Sequence, residues 1–269
     1  MPPLTEEDFV AALRGLEHRY WGAHPFHHRL HEGALTPCEL RIWAANRWYY
    51  QRMLPQKDAA VIANCPEPEI RRRWLDRIVY HDGSAAGEGG AERWLRLCEA
   101  VGLSRDEVTD ERRVVPGVRF AVDAYVTFAR TKPWVEAVAS GLTEMFSGHL
   151  MRRRVGDMLA NYPWISRDDL DYFTTRVDAV SGEGQETLEI VVRHCRTRAR
   201  QDAAVRALSF KCDVLWSMLD AIETACARPS GANREDDPAR ADDGRSGEGA
   251  DPTALSRAGV VPAAPRVEV

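Results

Sequence analysis

This chain of 269 residues is short of several things, and each shortage removes a class of protein. No apolar run approaches the roughly 20 residues that cross a bilayer, and the start, MPPLTEEDF, lacks the basic and apolar regions of a secretory signal. A cytoplasmic protein with no membrane segment is the expectation. Cysteines number six, Cys38, Cys65, Cys98, Cys195, Cys212 and Cys226, but none pairs as C-x-x-C, which argues against both a zinc site and a disulfide framework. Reduced thiols in helices fit better, and none is flanked by a group that would mark a nucleophile. Excess positive charge is also missing: the net charge is −5 with basic residues interspersed, so nucleic acid is not an expected partner. GEGG at Gly87 to Gly90 lacks the Lys and Ser/Thr of a phosphate loop. Alternating β-branched and polar residues are absent, as is any internal repeat.

What is present is helical period. Hydrophobic residues at 44% and charged ones at 29% suit one compact domain of roughly 200 to 230 residues with an appendage. Thr5 followed by acidic residues opens a first helix carrying Phe9, Leu13 and Leu16 on one face. A histidine-dense passage, His18 to His31, follows. Thr36, Pro37 and Glu39 give a strong entry signal to a central helix that Pro55 is expected to kink. Further helices are predicted over Glu69 to His81, Ala91 to Val101, Pro116 to Arg130 and Pro133 to Ala160. Ser166 with Asp169 caps another running to about Val180, and two more, near Glu183 to Arg200 and Gln201 to Cys226, close the domain. The reading is all-α, seven or eight helices joined by short loops, over residues 1–228. Residues 229–269 have no aromatic residue and a charge-rich, glycine-rich middle, which predicts a disordered tail or linker.

The central stretch NRWYYQRMLPQKDAAVIANCP threads Arg47, Gln51, Lys57 and Asp58 through a heavy aromatic load. A helix apolar nearly all round is buried, and a buried charge needs an opposite one. Lys211 breaks the stripe Leu208, Leu215, Met218, Ile222 in the last helix; either its stem snorkels outward or its amine meets an anion in a cavity. Arg77 and His81 share one helix face, as do Tyr172 and Arg176. Glu144 and Arg154 flank FSGHLMRRR, which taken alone reads as a solvated basic face. Together Arg47, Lys57, Arg77, His81, Arg154, Arg176 and Lys211 place cations on several helices of one bundle, which suggests an internal pocket for a small polycarboxylate. The histidines His18, His24, His27, His28 and His31 lack the Glu-x-x-His partners of di-iron bundles, so no metal is expected.

Several long blocks, NRWYYQRMLPQKDAAVIANCP, RIVYHDGS, GGAERWLRL, VPGVRFAVDAY, SGLTEMF and LSFKCDVLWSMLDA, resemble the pyrroloquinoline-quinone synthase family over roughly residues 5–227. The resemblance implies a seven-helix bundle of haem-oxygenase-like type, a homodimer, and the last step of quinone synthesis. In that step a tricyclic polycarboxylate precursor undergoes ring closure and oxidation by O2, giving the quinone and hydrogen peroxide with no metal or flavin required. It further implies that Tyr20, Arg47, Gln51, Lys57, Arg77, Tyr125, Glu144, Arg154 and Lys211 line the substrate pocket, with His81 as general acid/base. Tyr172 and Arg176 would border the oxygen site. The chain departs from the family where Trp21 and Met151 stand in place of histidines and where SGEGQE spans 181–186. In some relatives a linker such as 229–269 leads to a small peptide-carrying domain, so a small carrier protein of the pathway is a further expected partner. Two alternatives remain: a protein of this fold that binds precursor or quinone without oxidising it, and a metal- or haem-using oxidase.

Overall fold

The fold follows from one long helix that nothing inside it terminates. In a computed structural model that describes residues 1–228, the side chains of 178–181 excepted, α3 runs from Pro37 to Asn64. Its start is the expected capping box: Glu39 N–H donates to Thr36 Oγ1 at 3.2 Å and Thr36 N–H to Glu39 Oε2 at 2.8 Å. Pro55 lies within it and the helix continues past it. Residues on every side of α3 are buried, from Leu40 and Trp43 to Lys57 and Val61, because other helices surround it.

Those neighbours are α4 (Pro68–Asp82), α5 (Gly89–Ala100), α7 (Pro116–Thr131), α8 (Trp134–Ser140) and α11 (Arg198–Ala227). Polar side chains pin the packing where apolar contact alone would let helices slide. Trp94 Nε1 donates to the Ala44 carbonyl at 3.0 Å, and Asn46 accepts from Val115 N–H at 2.8 Å while donating to the Arg113 carbonyl. α9 (Glu144–Asn161) and α10 (Asp171–His194) pack together on the other flank. α1 (Glu6–Arg14), α2 (Pro25–His31), the short α6 (Arg105–Thr109) and several 3-10 turns complete the described residues. No strand occurs among them, and no helix is long and apolar enough to cross a membrane. The proposed tail, 229–269, lies outside the described residues.

The all-α reading holds, with more helices than the seven or eight expected. The predicted helix over Pro133 to Ala160 is broken by a 3-10 turn at Gly141–Thr143. SGLT is poor in helix formers, and the break puts the Glu144 carboxylate at the favourable N-terminal end of α9. Conversely, helices expected to meet near 180–183 are one: α10 runs through Gly182 and Gly184. Gly184 serves close packing here, since a Cβ at that position would sit 3.2 Å from Met145 N. The Ser166–Asp169 cap forms, but it opens a 3-10 turn ahead of α10.

Candidate active site

Around the inner half of α3 the helices leave a cavity with about 60 Å³ of free volume. α3 contributes Arg47, Tyr50, Lys57 and Asp58 to its wall; α4 contributes Arg77 and His81, one turn apart. Tyr125 comes from α7, Glu144 and Met151 from α9, Tyr172, Arg176 and Glu183 from α10, and Lys211 from α11. Tyr20 and Trp21, between α1 and α2, close one side.

Two buried ion-pair systems neutralise part of this charge. Arg77 Nη1 meets Glu144 Oε1 at 2.6 Å, Arg176 Nη1 meets Glu183 Oε2 at 2.8 Å, and Arg176 Nη2 lies 3.5 Å from Glu144 Oε1. Against the cost of burial, the Glu144 and Glu183 carboxylates raise the proton affinity of Arg77 and Arg176. Burial favours a protonated Glu144, but Arg77 and Arg176 outweigh it and hold that carboxyl ionised; Glu183, facing Glu144, is shifted the other way by burial and that like charge. Lys57 pairs with Asp58 on the same helix.

Among the described residues the remaining basic side chains of the cavity have no such partner. Arg47, 2% exposed, is clamped by ring faces, with Cζ 4.3 Å from the Trp21 ring centre and 4.7 Å from that of Tyr50, and its Nε and Nη1 make no hydrogen bond. Lys211 Nζ donates to Tyr50 Oη at 2.8 Å; burial, then Lys57 and Arg47, lower its proton affinity well below that of free lysine. His81 is driven well below the usual imidazole range by burial, then by Arg176, Lys57 and Arg77, so the ring is neutral, and its Nδ1 is unpartnered. With one neutral base among surplus cations, the cavity suits an anion that must lose protons.

Ten of the residues named from sequence meet at this wall: Tyr20, Arg47, Lys57, Arg77, His81, Tyr125, Glu144, Tyr172, Arg176 and Lys211. Gln51 and Arg154 do not; they stand one layer behind. Tyr172 Oη donates to Gln51 Oε1 at 2.9 Å, so Gln51 orients a wall residue. Arg154 is fully buried, its Nη2 3.0 Å from His27 Nε2 and its Cζ 5.4 Å from the Phe173 ring centre, while Arg152 and Arg153 are exposed. The basic run thus turns one arginine of three inward. Sequence reading missed Tyr50, which looked like core, and Glu183, hidden in SGEGQE with no pattern to announce it. Trp21 and Met151 both line the cavity.

The histidine-rich passage is occupied with structural work. His27 Nδ1 donates to the Trp21 carbonyl at 2.8 Å, leaving Nε2 to accept from Arg154; His24 Nδ1 accepts from Phe26 N–H at 3.0 Å, leaving Nε2 to donate to Asp220; His31 pairs with Asp157 at 2.7 Å. Among the described residues no group of three or more His, Cys, Asp or Glu is placed to hold a metal ion, and all six cysteines are free thiols.

Fold and site together define an all-helical protein of haem-oxygenase-like fold with a buried cationic chamber. A domain of unknown function with a heme oxygenase-like fold from Shewanella denitrificans superposes with a TM-score of 0.69 at 13% identity, covering 83% of this chain and 94% of that one. A TenA homolog from Pseudomonas syringae gives a TM-score of 0.67 at 13% identity, covering the same shares. Residues 10–221 match the TENA/THI-4/PQQC family, and the chain belongs to it. It is 47% identical over 222 residues to the pyrroloquinoline-quinone synthase of Cronobacter sakazakii, covering 82% of this chain and 88% of that protein. To the synthase of Granulibacter bethesdensis it is 48% identical over 227 residues, covering 84% and 89%. The bifunctional coenzyme PQQ synthesis protein C/D of Methylorubrum extorquens is 47% identical, over 84% of this chain but 61% of that protein.

Proposed function

We propose that this protein is a pyrroloquinoline-quinone synthase, an oxidoreductase that closes the ring of a tricyclic polycarboxylate precursor and oxidises it with O2, releasing the quinone and hydrogen peroxide. The observation that carries the reading is the surplus of buried cationic groups without carboxylate partners, Arg47 above all, around one neutral histidine. Carboxylates of the ligand would complete the pairing that the protein leaves open. Arg47, Lys57, Arg77 and Lys211, with Tyr20, Tyr125 and Glu144, would hold the precursor, with Gln51 and Arg154 acting from behind. His81 accepts a proton as general base. Tyr172 and Arg176 stabilise negative charge as oxygen is reduced. No metal or organic cofactor is required, since the deprotonated substrate is itself the reductant. The free volume of about 60 Å³ is below the roughly 300–1,000 Å³ of sites for drug-sized ligands, so entry of a tricyclic acid requires long side chains to move aside. We further propose that the protein works in the cytoplasm as a homodimer, and that a small carrier protein of the pathway is its partner, as the naming of the Methylorubrum extorquens relative supports.

A second reading, binding without oxidation, is favoured by one observation. Trp21 and Met151, at wall positions where histidines were expected, have no side-chain group that gains and loses a proton near neutral pH as an imidazole does. The two are separated by mixing protein and precursor in air and under argon while recording O2 uptake and the bound spectrum. Oxygen-dependent formation of quinone is the expected result, lost in His81→Ala and Arg176→Ala. Identical bound spectra with and without O2 would leave a binding protein.

A further inference from the structure

Arginine carries nearly all the positive charge of this chain: of 36 basic residues only three are lysine, Lys57, Lys132 and Lys211. Lys132 is exposed, whereas Lys57 and Lys211 are buried in the wall of the same cavity. An amine can release its proton and present a lone pair, which a guanidinium does not do in proteins. The two buried lysines then differ in their company. Lys57 is paired with Asp58. Lys211, 1% exposed, has no carboxylate at ion-pairing distance among the described residues; its Nζ lies 3.4 Å from the Tyr125 ring centre and 4.3 Å from that of Tyr50. The charged and titratable groups facing it are Lys57, Arg47 and Tyr50 of α3, Tyr125 of α7, Glu144 of α9 and its own neighbour Cys212. Desolvation and adjacent cations are the two devices that make lysine a nucleophile toward carbonyl carbon.

We propose that Lys211 is a reactive amine that condenses with the carbonyl carbon of an anion bound in this cavity, forming an imine. The nitrogen lone pair adds to the carbonyl carbon and the carbonyl oxygen takes a proton, giving a carbinolamine. Nitrogen then loses its second proton as the hydroxyl leaves as water, with no change of oxidation state. Tyr50, whose hydroxyl is 2.8 Å from Nζ, is placed to protonate that leaving hydroxyl. The unpaired Arg47 is placed to hold the anion's carboxylate. Applied to the quinone carbonyl, the inference rests on the function proposed above; the reactive amine itself does not.

The test uses the full chain at pH 7 with glyoxylate, a small aldehyde carrying a carboxylate, and sodium cyanoborohydride to reduce any imine, followed by peptide mass mapping. One carboxymethyl group on Lys211 is expected, accumulating at least about tenfold faster than on Lys132, which is exposed and lies outside the cavity. Lys211→Arg, checked for native circular dichroism, removes this fast label. Labelling of Lys211 no faster than that of Lys132 overturns the proposal. Neither quinone nor oxygen enters the assay, so failure here leaves the oxidase reading standing, and loss of the oxidase reading leaves the label. The same trapping with the finished quinone is expected to mark Lys211; fast glyoxylate labelling without a quinone adduct overturns the application to the quinone.

Discussion

Arg47 shows how a single side chain records a task other than folding. A guanidinium taken out of water and held only between aromatic faces is a net cost to the folded state, which a bound carboxylate would offset. Arg47→Met is therefore expected to raise the free energy of unfolding in urea by about 1 kcal/mol or more, while weakening binding of the polycarboxylate on the order of 10- to 100-fold. Equilibrium unfolding and a spectral titration on the same preparation check both arms. A large loss of stability would mean that Arg47 is structural. Arg154, also buried without a carboxylate, is instead tied to His27, and that tie explains why its position in FSGHLMRRR was no guide to its place. Neither the sequence period nor the charge run distinguishes an arginine that faces a cavity from one that stands behind it.

At the scale of elements, the turn between α4 and α5 fixes His81. Gly89 has φ +86°, and a Cβ there would lie 2.4 Å from Gly83 N and 2.6 Å from the His81 carbonyl oxygen. Gly87 has φ +84° but open space around it. Gly87→Ala is expected to cost about 1–2 kcal/mol of stability, from the backbone conformation alone. Gly89→Ala should cost more and lower turnover, because the clash displaces the end of the helix that carries the base. Equal losses in urea unfolding, with turnover unchanged in both, would contradict this. The helix starts at Thr5 and Thr36 were legible because caps are local chemistry. The continuity through Gly184 was not, because the packing of α10 against α9 decides it, and the weak helix formers of SGLT did not by themselves announce the break at Gly141–Thr143.

For the whole molecule, burial of His27, His31 and His81 sets the response to acid. Burial is the largest influence on each and lowers all three, His31 to about 4 and the others well below the usual range. Folded, the rings stay neutral; unfolded, they take up protons below about pH 6.5. The unfolded state thus binds more protons on the acid side, so stability is full above about pH 7 and is lost as pH falls through 6 and 5. The urea midpoint should climb from pH 5 to 7, and His27→Asn should reduce that slope by about one proton. A flat profile over this range would contradict the burial of neutral imidazoles.

By itself the sequence determined the all-helical class, the central buried helix, the caps and most of the cationic residues, since period, capping and the cost of burying charge are properties of short stretches. Only the tertiary structure decided which charges are already paired. The partners Arg77 with Glu144 and Arg176 with Glu183 come from different helices or from distant turns, as does the contact of Lys211 with Tyr50. The surplus left after that pairing is a property of the assembled bundle, because distance in space, which sequence spacing does not encode between helices, decides which charge neutralises which.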